Sequence, residues 1–296
     1  MKDVHAVDAV RTRAGHYQEI TCPTTAPCST TTSLAYDIAG PADGPLLVLG
    51  PSLGTSRLIW DAHSDFLNEQ FRVLRYDLPG HGGSPTAALG HPVPGTTTVA
   101  RLADSVLELV DQVGGDTFAY AGISLGGAVG TQLALAYPNR ITALGLICTS
   151  AHFGGRTAWR ERAALVRRSG MAPLAESSPS RWFAEPATAD SPLGRSLLDS
   201  LTRVEPDGYA ACCDMLATFD LRTDLHTVTA PTWVLGGTRD VATPVVHARE
   251  LADSIPRAGL RIADCAHLAL EAPEAVGALL RHLRTAAAGP PPDCGE

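Results

Sequence analysis

The chain has 296 residues, enough for one large α/β domain with an insertion or for two small domains, and its 45% of apolar residues allow a substantial core. A net charge of −8 argues against nucleic acid and anionic membrane surfaces as partners. No apolar run approaches the roughly 18 residues of a membrane-spanning helix, and the N-terminus lacks the layout of a secretory signal, so a cytoplasmic protein is expected.

The first half of the chain predicts strands that alternate with helices. Residues 1–32 lack periodicity and are predicted to form an N-terminal extension, with one edge strand at about 17–21. Short apolar runs predict strands at 33–38, 46–49 and 71–76. The clearest helix spans 99–113, where apolar residues recur at helical spacing and Gly114-Gly115 provides the stop.

The same alternation continues on both sides of a long interruption. Further strands are predicted at 117–121, 141–148, 231–237 and 260–263, and further helices at 128–136, 245–254 and 273–285. Strands separated by helices in this way predict an α/β fold with a mostly parallel sheet covered by helices on both faces.

The interruption at 151–212 is richer in Arg, Trp, Pro and Ser, with eight arginines against seven acidic residues. We interpret it as a helical cap inserted above one edge of the sheet; an ordinary pair of surface helices is the alternative. The α/β core would then comprise 33–150 and 213–285, and the proline-rich residues 286–296 would form a disordered tail.

A candidate nucleophile lies in the G-x-S-x-G pattern from Gly122 to Gly126. A serine on a sharp turn between strand and helix projects its hydroxyl from the backbone, and the crowded turn requires small neighbours. The helix N-terminus that follows adds partial positive charge. A plain glycine-rich turn is the alternative interpretation, but the context favours Ser124 as a nucleophile.

A serine needs a base and the base needs an orienting acid. His267 follows the last predicted strand and Asp240 follows the preceding one, so both should lie at the carboxyl edge of the sheet with Ser124. Asp264 is too close to His267 along the chain to be the acid. His81, in a glycine-rich loop, is interpreted as a loop-bracing residue rather than a catalytic one.

The oxyanion formed by serine attack needs two backbone N–H donors. One is predicted from Leu125, directly after the serine. The other is predicted from the loop after strand 46–49, with Leu53 as the favoured donor.

The sequence implies no cofactor and no metal. No group of His, Asp and Cys has metal-ligand spacing, and neither a dinucleotide-binding motif nor a phosphate-binding loop occurs. The seven scattered cysteines, without a C-x-x-C pair, are expected to be free thiols.

Taken together, these residues resemble the α/β-hydrolase superfamily from about 33 to 285, and within it the 3-oxoadipate enol-lactonases. The stretches that carry the resemblance are 52–55, 60–61, 71–77, 122–127, 159–162, 166–167, 170–171, 181–183, 208–213 and 219–222. The resemblance implies a small lactone or ester substrate opened through an acyl-enzyme on a Ser124, His267 and Asp240 triad. It also implies substrate contacts from Trp60, Arg160, Arg181, Trp182 and Leu268.

Several questions stay open at this point. The substrate carboxylate of an enol-lactone could pair with any of four arginines in the predicted cap: Arg160, Arg162, Arg168 and Arg181. A paralogous esterase, thioesterase or cyclase with the same triad is the main alternative function, and a non-catalytic ligand receptor is a remote one. The oligomeric state is not predicted.

Overall fold

The structure, a computed structural model, describes residues 9–11, 17–19, 34–90 and 93–287. Two short strands near the N-terminus, β1 (Ala9–Arg11) and β2 (Tyr17–Glu19), pair with each other antiparallel. β2 overlaps the strand predicted at 17–21, but it belongs to this separate two-stranded sheet and not to the edge of the main one. Most of the predicted N-terminal extension lies outside the described residues.

Seven strands form the main sheet: β3 (Tyr36–Ala39), β4 (Leu46–Gly50), β5 (Arg72–Tyr76), β6 (Phe118–Ile123), β7 (Ile141–Ile147), β8 (Thr232–Gly237) and β9 (Ala258–Ala263). Their order is β3-β5-β4-β6-β7-β8-β9, and β3 alone runs antiparallel to its neighbour. The three strands β4, β6 and β7 lie at the centre and are almost wholly buried. The predicted α/β architecture with a mostly parallel sheet is confirmed.

Five helices pack around this sheet: α1 (Ser64–Gln70), α2 (Val99–Gln112), α3 (Leu125–Ala136), α10 (Val245–Ser254) and α11 (Pro273–Ala287). Leu144 of β7 packs over Gly130 of α3, whereas the next residue, Gly145, lies beneath Leu279 of α11. Successive strand residues face opposite sides of a sheet, so α3 and α11 cover opposite faces. Helix α1 follows a 3₁₀ turn at Arg57–His63 and was not predicted from the sequence.

Six helices lie between β7 and β8: α4 (Arg156–Ser169), α5 (Ala172–Ser177), α6 (Pro179–Trp182), α7 (Pro186–Ala189), α8 (Pro192–Thr202) and α9 (Pro206–Thr218). We call 151–221 the helical insert. Its two ends meet, because the backbone N–H of Leu221 donates to the carbonyl of Ala151 at 2.9 Å and His152 forms a bridge with Asp220.

Two predicted boundaries differ from the structure. The predicted end of the cap at residue 212 falls inside α9, because residues 209–217, apolar apart from Asp214, are buried in a helix that packs on α4 and do not begin the sheet again. Ala286 and Ala287, predicted as disordered, belong to α11, and the rest of the predicted tail lies outside the described residues. In the described part of the chain, no helix has the length and apolar character to cross a membrane.

Candidate active site

Ser124 occupies a strained turn between β6 and α3. Its backbone has φ 55° and ψ −117°, a region that non-glycine residues rarely adopt. A Cβ at Gly122 would lie 2.2 Å from the carbonyl carbon of Gly126, and a Cβ at Gly126 would lie 2.3 Å from the carbonyl oxygen of Gly50. The G-x-S-x-G pattern is therefore required by backbone crowding at both of its ends.

Asp240 and His267 meet at the carboxyl edge of the sheet. Asp240 follows β8, His267 follows β9, and the two carboxylate oxygens lie 3.0 and 2.9 Å from His267 Nδ1. The Nε2 of the same ring has no hydrogen-bond partner among the described residues, so it is the nitrogen left for a reacting group. The predicted contact between these two side chains, 27 residues apart, is thus present.

The Asp240 carboxylate is held by several other donors. The backbone N–H groups of Ala242 and Thr243 donate to Oδ1 at 2.8 and 3.0 Å, and the Thr243 hydroxyl donates to Oδ2 at 2.6 Å. Burial by itself would raise the pKa of Asp240, but the charge and hydrogen bond of His267, with the bonds from Thr243, lower it below its usual value. Asp240 is therefore an ionised, fixed partner for the ring.

Ser124 and His267 line the same cavity, each about nineteen-twentieths buried (5% and 6% exposed). No direct hydrogen bond joins the Ser124 hydroxyl to the ring of His267. Catalytic hydrogen bonds are often long in ligand-free sites and tighten when substrate binds. The structure thus places all three predicted triad residues at one site. Asp240 and His267 are hydrogen-bonded, whereas His267 and Ser124 are not.

The two predicted oxyanion donors also lie at this edge. Leu53 lines the cavity, and Leu125 is the first residue of α3. In the described part of the chain, neither backbone N–H has an acceptor, whereas the neighbouring amides of Gly54 and Gly126 are both bonded. Two unpaired amides beside a serine are suited to hold a developing negative charge.

His81 braces the loop that carries Leu53. The N–H of Gly54 donates to His81 Nε2 at 3.1 Å, so Nδ1 must carry the proton that it donates to the carbonyl of Pro79 at 2.8 Å. Burial lowers the pKa of His81 to about 4, which keeps the ring neutral near pH 7. Protonation of Nε2 would break the bond to Gly54, next to the candidate oxyanion donor.

The helical insert supplies the opposite wall of the cavity. Arg162 on α4 and Arg181 on α6 both line it, and the guanidinium of Arg162 stacks over Trp159 at 5.1 Å from the ring centroid. Neither arginine forms an ion pair with a carboxylate among the described residues. Burial, followed by the charge of Arg162, lowers the pKa of Arg181. The cavity therefore holds two cations without a counter-ion.

Of the five residues predicted as substrate contacts, Arg181 and Trp182 line the cavity and three do not. Trp60 belongs to the 3₁₀ turn, and its side chain is fully buried in the core. Arg160 is exposed, since one residue along a helix from Trp159 is a rotation of about 100°. Leu268 turns inward after His267, and its N–H donates to the carbonyl of Trp182 at 3.3 Å.

Arg162 was one of the four arginines considered as partners of a substrate carboxylate, and it lines the cavity; several other lining residues were not predicted as contacts, although some belong to stretches that carry the resemblance. Trp159 and Arg162 are three residues apart on α4, and this spacing places them on one helix face. Tyr209 of α9 joins them, and Phe153 and Leu216 add apolar surface. For Trp159 and Arg162, the helical periodicity of α4 could have given the signal, since Ala163 and Val166, which are buried, mark the side of the helix that faces inward.

The residues of the cavity offer no metal-binding group. One convergence of metal-binding side chains does occur in the described part of the chain, at His152, His247 and Glu250, outside the set of residues that line the cavity. The four described cysteines, Cys148, Cys212, Cys213 and Cys265, are free and buried, as predicted.

With this geometry established, the comparisons with known proteins decide the family. Residues 47–279 match the alpha/beta hydrolase family. The chain belongs to the alpha/beta hydrolase family. The hydrolase fold predicted from the sequence resemblance is thereby confirmed.

The hydrolase has relatives of similar length. It is 33% identical over 245 residues to 3-oxoadipate enol-lactonase 2 of Acinetobacter baylyi, covering 82% of this chain and 90% of that protein. It is 28% identical to a pimeloyl-[acyl-carrier protein] methyl ester esterase of Nitrosomonas europaea, covering 74% and 86%. The solved structure of the enol-lactonase from Burkholderia xenovorans LB400 superposes with a TM-score of 0.79 at 32% identity, covering 85% and 96%.

Proposed function

We propose that this hydrolase is a serine hydrolase that opens a small lactone or ester bearing a carboxylate, with a 3-oxoadipate enol-lactone as the favoured substrate type. The observation that carries the proposal is the cavity that Ser124 and His267 share with two arginines, neither of which has an ion-pair partner among the described residues. Similarity to enol-lactonases at 32 to 33% identity supports the substrate type.

In the proposed mechanism, the hydroxyl oxygen of Ser124 attacks the carbonyl carbon while His267 Nε2 takes its proton. The negative charge on the carbonyl oxygen is held by the N–H groups of Leu53 and Leu125. The tetrahedral intermediate collapses, the ring C–O bond breaks and the enolate oxygen leaves. Because an enolate is a weak base, its departure needs little help from a general acid. The departed enolate then takes the proton from His267 Nε2, which leaves the ring neutral for the second half of the reaction.

The second half of the reaction releases the acyl group. Water gives a proton to His267 Nε2 and attacks the ester carbonyl formed on Ser124. The Ser124 oxygen leaves and regains a proton from the ring, and the product is the free acid. Throughout both steps, Asp240 stabilises the imidazolium and holds Nδ1 in the protonated form, a role supported by its low pKa.

The charge of the cavity wall supports the proposed substrate class. A carboxylate can accept parallel hydrogen bonds from a guanidinium, and such a charged pair is strong where water is excluded. Arg162 and Arg181 line one cavity, and neither has a carboxylate in ion-pair contact among the described residues. Burial and the charge of Arg162 lower the pKa of Arg181, while the charge of Asp240 acts more weakly in the opposite direction, so an anion bound beside both arginines would be favourable. A substrate anion would supply the missing charge.

The proposal is tested by assaying the enol-lactone and an aryl acetate with the wild-type enzyme and with Ser124→Ala. Hydrolysis by the wild type should fall by about 10⁶ in kcat in the variant, the loss found when the nucleophile of a triad is removed. A fluorophosphonate probe should label the wild type and not the variant. Substantial turnover by Ser124→Ala would contradict the serine mechanism, and failure to label the wild type would favour a non-catalytic receptor.

A further inference from the structure

The strongest unassigned group of side chains lies at the point where the helical insert leaves the sheet. His152 follows the end of β7, and His247 and Glu250 lie three residues apart on α10. One ligand atom from each of the three lies within 4.8 Å of the others. Residues 95 positions apart in the chain are thus brought together, so no sequence spacing could have revealed the group.

The chemical types match those of a transition-metal site. Two imidazoles and one carboxylate form the ligand set of zinc sites that keep one position open for water. Imidazole and carboxylate also suit Co²⁺, which resembles Zn²⁺ in its ligand preferences. The His152 and Glu250 side chains are 25% and 32% exposed, so an ion can reach them from solvent.

Hydrogen bonds outside the group orient His247 for coordination. The Ser150 hydroxyl donates to the carbonyl of His152, so its oxygen must accept at its other contacts. One of these is His247 Nδ1 at 2.8 Å, and Nδ1 must therefore carry the proton of that ring. Its Nε2 keeps a free lone pair. A ring whose second nitrogen donates to a fixed oxygen is the usual arrangement of a metal-binding histidine.

His152 faces the same space through its other nitrogen. Its Nε2 lies 3.7 Å from Glu250 Oε2, and its Nδ1 has a long 3.4 Å contact with the N–H of Gly154. If Nε2 bound a metal, Nδ1 would carry the proton of the ring and could no longer accept from Gly154. The weak contact with Gly154 would then be lost and the metal–nitrogen bond gained. Ligand atoms around tetrahedral Zn²⁺ are roughly 3.4 Å apart, from metal–ligand distances of about 2.0–2.2 Å. A contraction of at most about 1.4 Å by these partly exposed side chains would complete the site.

We propose that His152, His247 and Glu250 form a binding site for a divalent transition metal such as Zn²⁺, with water as a fourth ligand. The metal would tie the beginning of the helical insert to α10. Because α10 directly follows the loop of Asp240 and Thr243, the same ion would fix the insert relative to the loop that holds the candidate acid.

The test uses the full chain, freed of metal with a chelator, and Co²⁺ as a spectroscopic probe. The wild type should develop visible d–d absorption of a low-coordinate Co²⁺ that saturates at one ion per chain and is abolished by Zn²⁺. At about a hundredfold excess of Zn²⁺ over its dissociation constant, Tm should rise by several degrees. Neither readout depends on hydrolysis, so Ser124→Ala should bind the ion as the wild type does.

Variants of the cluster decide between this site and binding elsewhere. His247→Ala and Glu250→Gln should each weaken Co²⁺ binding by more than about tenfold, and Ser150→Ala by about 10- to 100-fold, the usual effect of removing an outer-shell partner. His226→Ala, a change at an exposed histidine outside the group, should bind like the wild type. Glu250→Gln keeps the shape of the side chain, so it decides the question if His247→Ala fails to fold.

An ion pair alone between His152 and Glu250 predicts a different result. In that case the wild type would show no saturable Co²⁺ spectrum. Equal Co²⁺ affinity in the wild type and Glu250→Gln would also overturn the proposal, because the ion would then be held by other residues.

Discussion

The two walls of the cavity are built in different ways. On the sheet side, the groups that matter are placed by the backbone: Ser124 by a crowded turn, and Asp240 by two amides and a hydroxyl from its own loop. On the insert side, Arg162 and Arg181 are placed by the helices α4 and α6 and reach the cavity with long side chains. Such a division suits one rigid wall for bond breaking and one adaptable wall for substrate choice.

If this comparison is right, changes on the sheet side should lower kcat for every substrate, and changes on the insert side should affect KM for anionic substrates alone.

Replacing the candidate acid should have the largest effect. Asp240→Asn leaves the shape of the loop but offers His267 a neutral partner that can present an N–H, and this change costs about 10⁴ in kcat in a serine protease triad. We expect a loss of that order for charged and neutral esters alike, measured by steady-state kinetics. Asp264→Asn, at a surface carboxylate bonded to Arg239, is the matched control and should stay within a few-fold of the wild type. Equal losses in both variants would contradict the assignment of Asp240.

Acidification should destabilise the sheet side through His81. Its pKa is about 4 in the folded chain against 6.5 for an unperturbed histidine, so between these values the unfolded state binds a proton that the folded state does not. The free energy of unfolding should therefore fall with pH from about 6.5 to about 4, by up to roughly 3 kcal/mol from this group. Urea unfolding at several pH values should show a shallower fall for His81→Gln. A control variant at an exposed histidine, His226→Gln, should keep the pH dependence of the wild type. If all three proteins show the same pH dependence of the free energy of unfolding, His81 is not its cause.

On the insert side, removing either unpaired cation should weaken binding of anionic substrates. A hydrogen bond to a charged group contributes about 1.5–3 kcal/mol, so Arg162→Gln and Arg181→Gln should each raise KM for a carboxylated lactone by about 10- to 100-fold. KM for the corresponding methyl ester should change little, because no charge is lost there. Arg160→Gln, two residues before Arg162 and exposed, is the control. If the methyl ester is affected as strongly as the acid, the arginines support the cavity instead of binding the anion.

The smallest effect is expected at the junction of the two walls. Glu271 accepts the N–H of Ala184 in the insert at 2.8 Å and the N–H of Ala266, next to His267, at 3.3 Å. Glu271→Gln retains one acceptor oxygen and loses the charge, and should lower the free energy of unfolding by about 1 kcal/mol. A decrease of kcat by a few-fold should accompany it, measured beside the exposed Glu161→Gln. Unchanged values in Glu271→Gln would mean that the insert and the histidine loop are held together by other contacts.

The sheet side was largely predictable from the sequence. Its strands are short apolar runs with helices between them, and in a parallel sheet the loops after β6, β8 and β9 must lie at one edge. The meeting of Asp240 with His267 follows from that topology. Even the glycines of the turn could be anticipated, since the crowding that demands them is local.

The insert side was much less predictable. Three of its helices have six residues or fewer, and α4 is polar on most of its surface, so the sequence pattern did not reveal which arginine faces inward. Arg160 and Arg162 differ only in helical phase. The apolar residues of α9 resemble a return to the sheet, but they are buried against α4. The cluster of His152 with His247 depends on how two distant loops pack, for which the sequence offers no local signal.

The hydrogen bond between Leu221 and Ala151 also bears on how such enzymes diversify. Some seventy residues leave the sheet after β7 and return before β8, and the paired ends of this insert lie side by side. The strands β7 and β8 can therefore remain neighbours whatever the length of the chain between them. A different segment can be inserted between these paired ends without altering the register of β7 and β8. Evolution can therefore exchange the insert while the sheet, and the side chains at its carboxyl edge, are inherited unchanged.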